Sequence, residues 1–373
     1  MYISEIDLYQ FRNYDNTNIK LHPKLNILYG NNAQGKTNIL EAIYMCATTR
    51  SHRTSREKET IKWDKEEAHI RLFLNKGDRL DKIDLHLNKN GKKYVFINEV
   101  PVQKLSNLLG IMHIIMFSPE DLQLIKSGPK ERRRFIDIEL CQIDKIYLYN
   151  LQQYYKVLKQ RNHLLKNINY DKGQEAMLEV WDEQLVFYGE KIIETRKHFI
   201  NKISHIASVI HGNITSNKEY LEIEYFPNVE KENFKDKLKS FLEKDIKTGI
   251  TSIGPHRDDV LFKINHNDVR TYGSQGQQRS VILSLKLAEI DLIKNEVKDN
   301  PILLLDDVLS ELDENRQADL LSNISDIQTI LTCTGIEDII LKKLHKGFLF
   351  YIENGFVEPR DSNSCNISIN KIK

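Results

Sequence analysis

Eight residues near the start of this 373-residue chain, Gly30-Asn31-Asn32-Ala33-Gln34-Gly35-Lys36-Thr37, fit the pattern G-x-x-x-x-G-K-[ST] in full. The glycines let the backbone turn so that several N–H groups face phosphate oxygens. Lys36 brings a positive charge to the β- and γ-phosphates, and the Thr37 hydroxyl can ligate magnesium. By average residue usage the pattern arises by chance about once in 100 chains of this length. Its context shortens those odds. A β-type run through Leu25, Ile27, Leu28 and Tyr29 precedes it, and an apolar-periodic segment through Ile39, Leu40, Ile43 and Ala47 follows it. That is the strand, loop, helix order a phosphate cradle requires. The octet is therefore expected to bind ATP within an α/β body.

A magnesium-triphosphate site also needs a carboxylate at the end of a neighbouring buried strand. Pro301-Ile302-Leu303-Leu304-Leu305-Asp306-Asp307 supplies it. Four apolar residues in a row suit a strand buried on both faces, and two acids at its C-terminal end suit a site at the sheet's edge. Asp306 is assigned to magnesium alongside Thr37, directly or through water. Asp307 is assigned to polarising the attacking water, with Lys36 completing the catalytic set.

Composition sets bounds without choosing a function. The chain is 40% hydrophobic and 29% charged, the normal range for a globular protein. Its 54 basic and 53 acidic residues give a net charge of +1, so any nucleic-acid contact must come from a local basic surface. Cys46, Cys141, Cys333 and Cys365 form no C-x-x-C pair and read as reduced thiols. Glu5 and Asp7 stand where a signal peptide would be basic then apolar, and the most apolar stretch, Ile111 to Phe117, is far short of a membrane span. A soluble, cytoplasmic protein is expected.

Periodicity divides the chain. From Ala68 to Val102 it is two, through Ile70, Leu72, Leu74, then Ile83, Leu85, Leu87, then Val95 and Ile97, which predicts an antiparallel three-stranded meander. After Ser127-Gly128-Pro129 a heptad seam runs through Leu148, Leu151, Tyr155, Leu158, Asn162 and Leu165. A break from Asn167 to Gly173 leads to a second seam through Leu178, Trp181, Leu185, Tyr188, Ile192, Thr195, Phe199, Ile203, Ile206 and Ile210, with a stutter at Phe199 to Ile203. Two helices of roughly 38 residues, about 57 Å each, joined by a short connection, make an antiparallel hairpin. It serves either as a projecting arm or as the core of an α domain. Past Lys218 the β-type runs return. The expected layout is residues 1–128 as the first half of an α/β head, 129–217 as the inserted helical domain, and 218–373 as the second half of the head.

Ser274-Gln275-Gly276-Gln277-Gln278-Arg279 opens a strong helix, and Ser274 with Gln277 makes an S-x-x-Q capping box. Exposed N–H groups at such a tip also form a phosphate-binding device. The segment is similar to the signature motif of ABC-type ATPases, with Ser274, Gly276 and Gln277 matching. Ser310-Glu311-Leu312-Asp313, after the acidic strand, resembles the D-loop, with Ser310 and Asp313 at its polar positions. In that family the signature of one subunit faces the γ-phosphate held by the P-loop of another.

The resemblance extends along the chain. Phe11-Arg12-Asn13-Tyr14, the P-loop, Phe117-Ser118-Pro119-Glu120-Asp121, Pro129 with Arg132-Arg133-Arg134-Phe135 and Asp137, Gly254-Pro255-His256-Arg257-Asp258-Asp259, Ser274 to Arg279 and Leu305 to Asp313 together resemble the bacterial RecF family of SMC-like ATPases. The resemblance implies a P-loop ABC-type head with an antiparallel β subdomain and an inserted short coiled-coil arm. It implies an ATP- and Mg2+-dependent homodimer that binds double-stranded and gapped DNA, with RecR and RecO as partners and loading of RecA as the output. The Q-loop role falls near Glu120 and Asp121, where no glutamine stands. The histidine that many ABC ATPases place after the next strand is missing from Thr329 to Thr334, leaving Thr332 or Thr334 in its place.

Two basic clusters stand out, Arg50, His52, Arg53, Arg56 and Lys58, and Lys130, Arg132, Arg133 and Arg134. Neither identifies a DNA-contacting residue, and DNA binding rests on the resemblance. It would be phosphate-directed and salt-sensitive. Gly254 to Asp259 reads as a structural turn or interface loop. The competing readings are an SMC-type chromosome-tethering protein, which needs a longer stalk, a transporter's ATPase subunit, which needs a membrane partner, and a nucleotide kinase, which lacks the Ser274 to Arg279 segment.

Overall fold

The computed structural model describes residues 1–167, 175–313, 316, 317, 320, 324, 326–335 and 347–360. The chain forms two compact units. One comprises Met1–Asp121 and the described residues from Glu289 onward, and the other comprises Leu122–Ala288.

The first unit holds strands β1 (Tyr2–Tyr9), β2 (Asn16–Lys20) and β3 (Leu25–Tyr29), helix α1 (Lys36–Thr48), and strands β4 (Glu67–Lys76), β5 (Arg79–Asn88), β6 (Lys93–Ile97), β7 (Val100–Pro101) and β8 (Ile114–Phe117). Strands β12 (Ile302–Asp306), β13 (Thr329–Cys333), β14 (Gly347–Glu353) and β15 (Phe356–Arg360) complete it. They form two six-stranded sheets, ordered β2-β1-β4-β5-β6-β7 and β15-β14-β3-β13-β12-β8. The expected meander is present as β4-β5-β6, antiparallel throughout. Its alternation buries Ile70, Leu72, Leu74, Ile83, Leu85 and Val95 on one face. In the second sheet β8, β12, β13, β3 and β14 are parallel, and β15 returns antiparallel. Every residue of β12 is buried, as the apolar run Ile302 to Leu305 requires of a strand covered on both faces. Helix α1 belongs to one apolar core with residues of both sheets, and nearly its whole length is buried.

The second unit holds α2 (Gln123–Lys126), α3 (Pro129–Ile143), α4 (Lys145–Asn167), α5 (Glu175–Ile214), β9 (Leu221–Phe226), α6 (Phe234–Ser240), α7 (Leu242–Thr248), β10 (Asp259–Ile264), β11 (Asn267–Asp268) and α8 (Val269–Tyr272). Helix α9 (Gln275–Val297) begins in this unit and ends in the first. The β strands form a small antiparallel sheet ordered β11-β10-β9. Helices α4 and α5 lie side by side, and within the unit they pack on β9, α6 and α7. The expected first helix of roughly 38 residues is instead two helices of 15 and 23 residues. Asp144 takes extended geometry between them. Its carboxylate accepts from the N–H groups of Ile146 and Tyr147 at 2.7 and 3.0 Å, an N-cap that starts a new helix.

The buried row on α4 also lies mostly one residue earlier than the expected seam. The expected Leu158 and Leu165 are buried, but the rest of the buried row is Tyr147, Asn150, Tyr154, Val157, Arg161 and Leu164, while Tyr155 is exposed. The physical reason is two fully buried arginines occupying core positions. Arg161 reaches Asp182 at 2.5 Å and Asp245 at 2.7 Å, and Arg196 on α5 reaches Asp137 at 2.7 Å and Asp258 at 3.0 Å. On α5 the buried row Arg196, Phe199, Ile203, Ala207 and His211 advances in steps of four from Phe199, continuing the stutter. Most of the break after Asn167 lies outside the described residues. Cys46, Cys141 and Cys333 are buried and in no disulfide among the described residues, and Cys365 lies outside them.

Candidate functional site

The P-loop joins the C-terminal end of β3 to α1, and its neighbours enforce its path. A side chain at Gly30 would place Cβ 2.3 Å from the carbonyl oxygen of Ile352, at a φ of +149° that favours glycine. Gly35, at φ +115°, is closed in by Asn13 and Tyr14. The Asn13 amide donates to Gln34 O at 2.9 Å, the Tyr14 hydroxyl donates to Gly35 O at 3.0 Å, and the Asn38 amide donates to Asn13 Oδ1 at 2.8 Å. On the other side the N–H of Asn354 donates to Gln34 Oε1 at 2.7 Å. The loop is thus held by side chains distant in sequence before any ligand arrives.

Lys36 is buried and donates to the carbonyls of Gly30 at 2.6 Å and Asn31 at 2.8 Å. Burial pulls its ammonium below the ordinary lysine value, with Asp307, Cys333 and Asp306 opposing that shift. The Thr37 hydroxyl donates to Asp306 Oδ1 at 2.8 Å, so the two residues expected to share magnesium are in contact. With its proton directed at Asp306, the hydroxyl keeps lone pairs for a hard cation. One hydroxyl and one carboxylate, completed by phosphate oxygens and water, is a donor set magnesium accepts. Among the described residues no group of three or more His, Cys, Asp and Glu side chains is arranged as a metal centre.

Thr332 occupies the next strand, directly opposite Asp306 in the parallel ladder. Its hydroxyl donates to Asp306 Oδ1 at 2.8 Å and accepts from the N–H of Asp307 at 2.9 Å. Asp307 stands at φ +51°, a left-handed conformation for a non-glycine residue. Burial raises its carboxyl above the ordinary value, Lys36 opposes the shift and Asp306 adds to it. Thr332 therefore sets the carboxylate of Asp306 and the backbone of Asp307 just beyond β12, whereas Thr334 is exposed.

The other expected residues divide. Asn31, Asn32 and Ala33 form the exposed crest of the loop, with Ala33 at φ +63°. Asp121 accepts from the N–H of Ser118 at 2.7 Å, which caps the turn after β8, and Glu120 is exposed. Ser310 donates to the carbonyl of Asp307 at 2.7 Å, tying the segment that resembles a D-loop to the end of β12, while Asp313 pairs with Arg316 at 2.8 Å.

In the other unit Ser274 and Gln277 form the expected capping box. The N–H of Gln277 donates to Ser274 Oγ at 3.2 Å, and the N–H of Ser274 donates to Gln277 Oε1 at 2.9 Å. A Cβ at Gly276 would meet only Ser274 Oγ at 3.9 Å, so the helix tip is open.

Both basic clusters are partly committed within the fold. Arg132 is buried against Asp259, and Arg133 donates to Asp258 O at 2.6 Å, which makes Gly254 to Asp259 a structural turn. Arg53 donates to Asn38 Oδ1 at 2.9 Å beside α1. Arg12 forks onto Glu41 at 2.8 and 2.6 Å. Burial opposes the charge on Glu41, yet hydrogen bonds from Arg12 and Ser51 hold its carboxyl below the usual range. Asn13, Tyr14 and the double role of Thr332 carried no local signal. Only the quoted Phe11 to Tyr14 segment marked the first two. Among the described residues, no helix is long and apolar enough to cross a membrane.

Comparison with known proteins agrees across the chain. Residues 2–348 match the family model described as the RecF/RecN/SMC N terminal domain. A protein of Lachnoclostridium phytofermentans named DNA replication and repair protein RecF is 51% identical over 358 residues, 96% of this chain and 99% of its own length. One of the same name from Clostridium perfringens is 48% identical over 364 residues, covering 96% and 100%. A solved structure described as the recombination mediator protein RecF-ATP in the RecFOR pathway superposes with a TM-score of 0.90 at 36% identity, covering 96% of this chain and 98% of that one. An Smc head domain from Pyrococcus furiosus superposes at 0.58 with 17% identity, a likeness of fold.

Proposed function

Since the chain belongs to the RecF family of DNA replication and repair proteins, we propose that it is an ATP-gated recombination mediator whose two copies close on ATP and hold duplex DNA near single-strand gaps. RecR and RecO are its partners, and RecA loading is its output. The observation that carries the ATP reading is the contact of Thr37 and Thr332 with one oxygen of Asp306, beside the buried Lys36. This brings the P-loop beside the two acids that the reading assigns to magnesium and to the attacking water. The solved RecF-ATP relative supports the same reading.

In this account Lys36 exchanges the carbonyls of Gly30 and Asn31 for β- and γ-phosphate oxygens, and the N–H groups of the loop receive the remaining charge. Thr37 and Asp306 would hold magnesium, whose contribution would be to neutralise phosphate charge. Asp307 orients the attacking water and takes its proton. Ser274, Gly276 and Gln277 of a second copy cover the γ-phosphate, so the site is complete only in the dimer. ABC ATPases commonly place glutamate at the position of Asp307, which is one methylene shorter. A misplacement of about 1 Å costs roughly 100-fold, so hydrolysis is slow, a timer below about 10 turnovers per second. The protein works in the cytoplasm and is nucleoid-bound when it holds DNA.

Sedimentation with and without ATP tests the reading. The parent should dimerise in ATP, while Lys36→Met and Ser274→Arg should remain monomeric. A parent whose mass ATP leaves unchanged contradicts it.

A further inference from the structure

The signature helix is braced by residues that the ATPase motifs do not include. Gln277 uses its amide oxygen on the Ser274 N–H, and its amide nitrogen donates to Glu219 Oε1 at 2.9 Å. The second oxygen of Glu219 lies 3.1 Å from His211 Nε2. His211 is fully buried in the last turn of α5, and its Nδ1 lies 3.0 Å from Ser284 Oγ. Ser284 donates to Ser280 O at 2.7 Å, and Ser280 donates to Gly276 O at 3.0 Å.

These contacts close a ring. Gln277 and Ser284 are seven residues apart on α9, two turns on one face and about 10 Å along the axis. Glu219 holds the upper point and His211 the lower, so α9 is pinned at both by the end of α5 and the residue leading into β9. With the Ser284 proton directed at Ser280, Nδ1 of His211 is the donor to Ser284. A carboxylate can only accept, so the contact with Glu219 is one in which Nε2 donates.

We propose that Glu219 and His211 are positioning residues for the signature motif: through Gln277 they fix the aim of Ser274 and couple it to the end of helix α5. The inference rests on the reading that Ser274 meets a γ-phosphate held by a second copy. A long helix whose last turn is tied to the phosphate-facing tip responds to closure of the dimer. Conversely, a partner that displaces α5 loosens the tip.

The test is a charge swap. Glu219→Gln offers one amide oxygen where two donors need acceptors, so one contact is lost. Gln277→Glu keeps the acceptor for Ser274 but sets a carboxylate against Glu219. In the double variant the new amide at position 219 donates to the new carboxylate at position 277 and accepts from His211, which restores the ring. Each single variant should raise the protein concentration for half-maximal ATP-driven dimerisation about tenfold. Glu219→Gln should leave monomer nucleotide affinity within about twofold, and the double variant should dimerise at least about threefold more readily than Gln277→Glu alone, which carries the same carboxylate at the tip. Singles that dimerise like the parent, or a double no better than the worse single, overturn the proposal. If the parent itself does not dimerise in ATP, the dimer reading fails separately. Amide hydrogen exchange at residues 274–278 then decides the ring: faster exchange in the singles and parent-like exchange in the double support it, and uniform exchange refutes it.

Discussion

Around Lys36 the fold supplies the geometry directly: β3, β12 and β13 end side by side, and two hydroxyls converge on one oxygen of Asp306. Around Ser274 the tip is an open capping box, aimed by a chain of polar contacts running through Glu219 and His211. The first region is rigid because parallel strands fix its residues in register. The second depends on side chains from three separate segments. A region of the first kind suits binding, and one of the second kind suits a response.

The contrast is sharpest if the unit carrying Ser274 is weakened alone. Asp245→Ala strips Arg161 of a buried partner and should cost that unit about 3–5 kcal/mol. A lower unfolding transition with unchanged nucleotide affinity at Lys36 is the expected result. Equal loss of nucleotide binding would break the distinction. Lys36→Met should then weaken nucleotide binding at least about 100-fold in titration calorimetry, since a buried charge facing phosphate is lost. Folding should survive, because the replaced ammonium is a desolvated one.

Thr332→Val should lower kcat about tenfold to 100-fold with nucleotide Kd within about twofold, because it frees the Asp307 backbone while leaving the loop intact. Thr332→Ser should recover most of the rate. Both variants turning over like the parent would show that the strand ends alone fix the acids.

The smallest effect is on pH. The Asp307 carboxyl sits above its ordinary value through burial, so hydrolysis should rise with pH through that raised value as the carboxylate forms. Lys36 is lowered by burial, so phosphate affinity should fall at a pH below that of a free lysine. The folded state holds the Asp307 proton more tightly than the unfolded chain, so its contribution to stability declines as pH rises between the two values. Asp307→Asn should therefore raise Tm slightly at neutral pH and should remove the acidic limb of the rate profile.

Much of the first region was legible because its signals are local. The octet and the apolar run into Asp306 each lie within a few residues, as does the capping box of the second region, and backbone geometry dictates them. The β meander was legible for the same reason. Glu219 and His211 were not, and Asn13, Tyr14 and Thr332 were marked only through the resemblance, since their roles arise from contacts between distant segments. The seam on α4 was displaced because Arg161, which reads as a surface residue, occupies a core position with its carboxylates supplied from α5 and α7. Hydrophobic periodicity cannot register a charge that is neutralised from elsewhere in the chain.

The central claim, that one phosphate is held by two copies, is tested most directly by mixing Lys36→Met protein with Ser274→Arg protein and measuring ATP turnover. Each alone should be inactive. The mixture should recover activity, because a heterodimer pairs the intact cradle of one copy with the intact serine tip of the other. Parent-like turnover by Ser274→Arg alone, unchanged on adding Lys36→Met, would contradict the account.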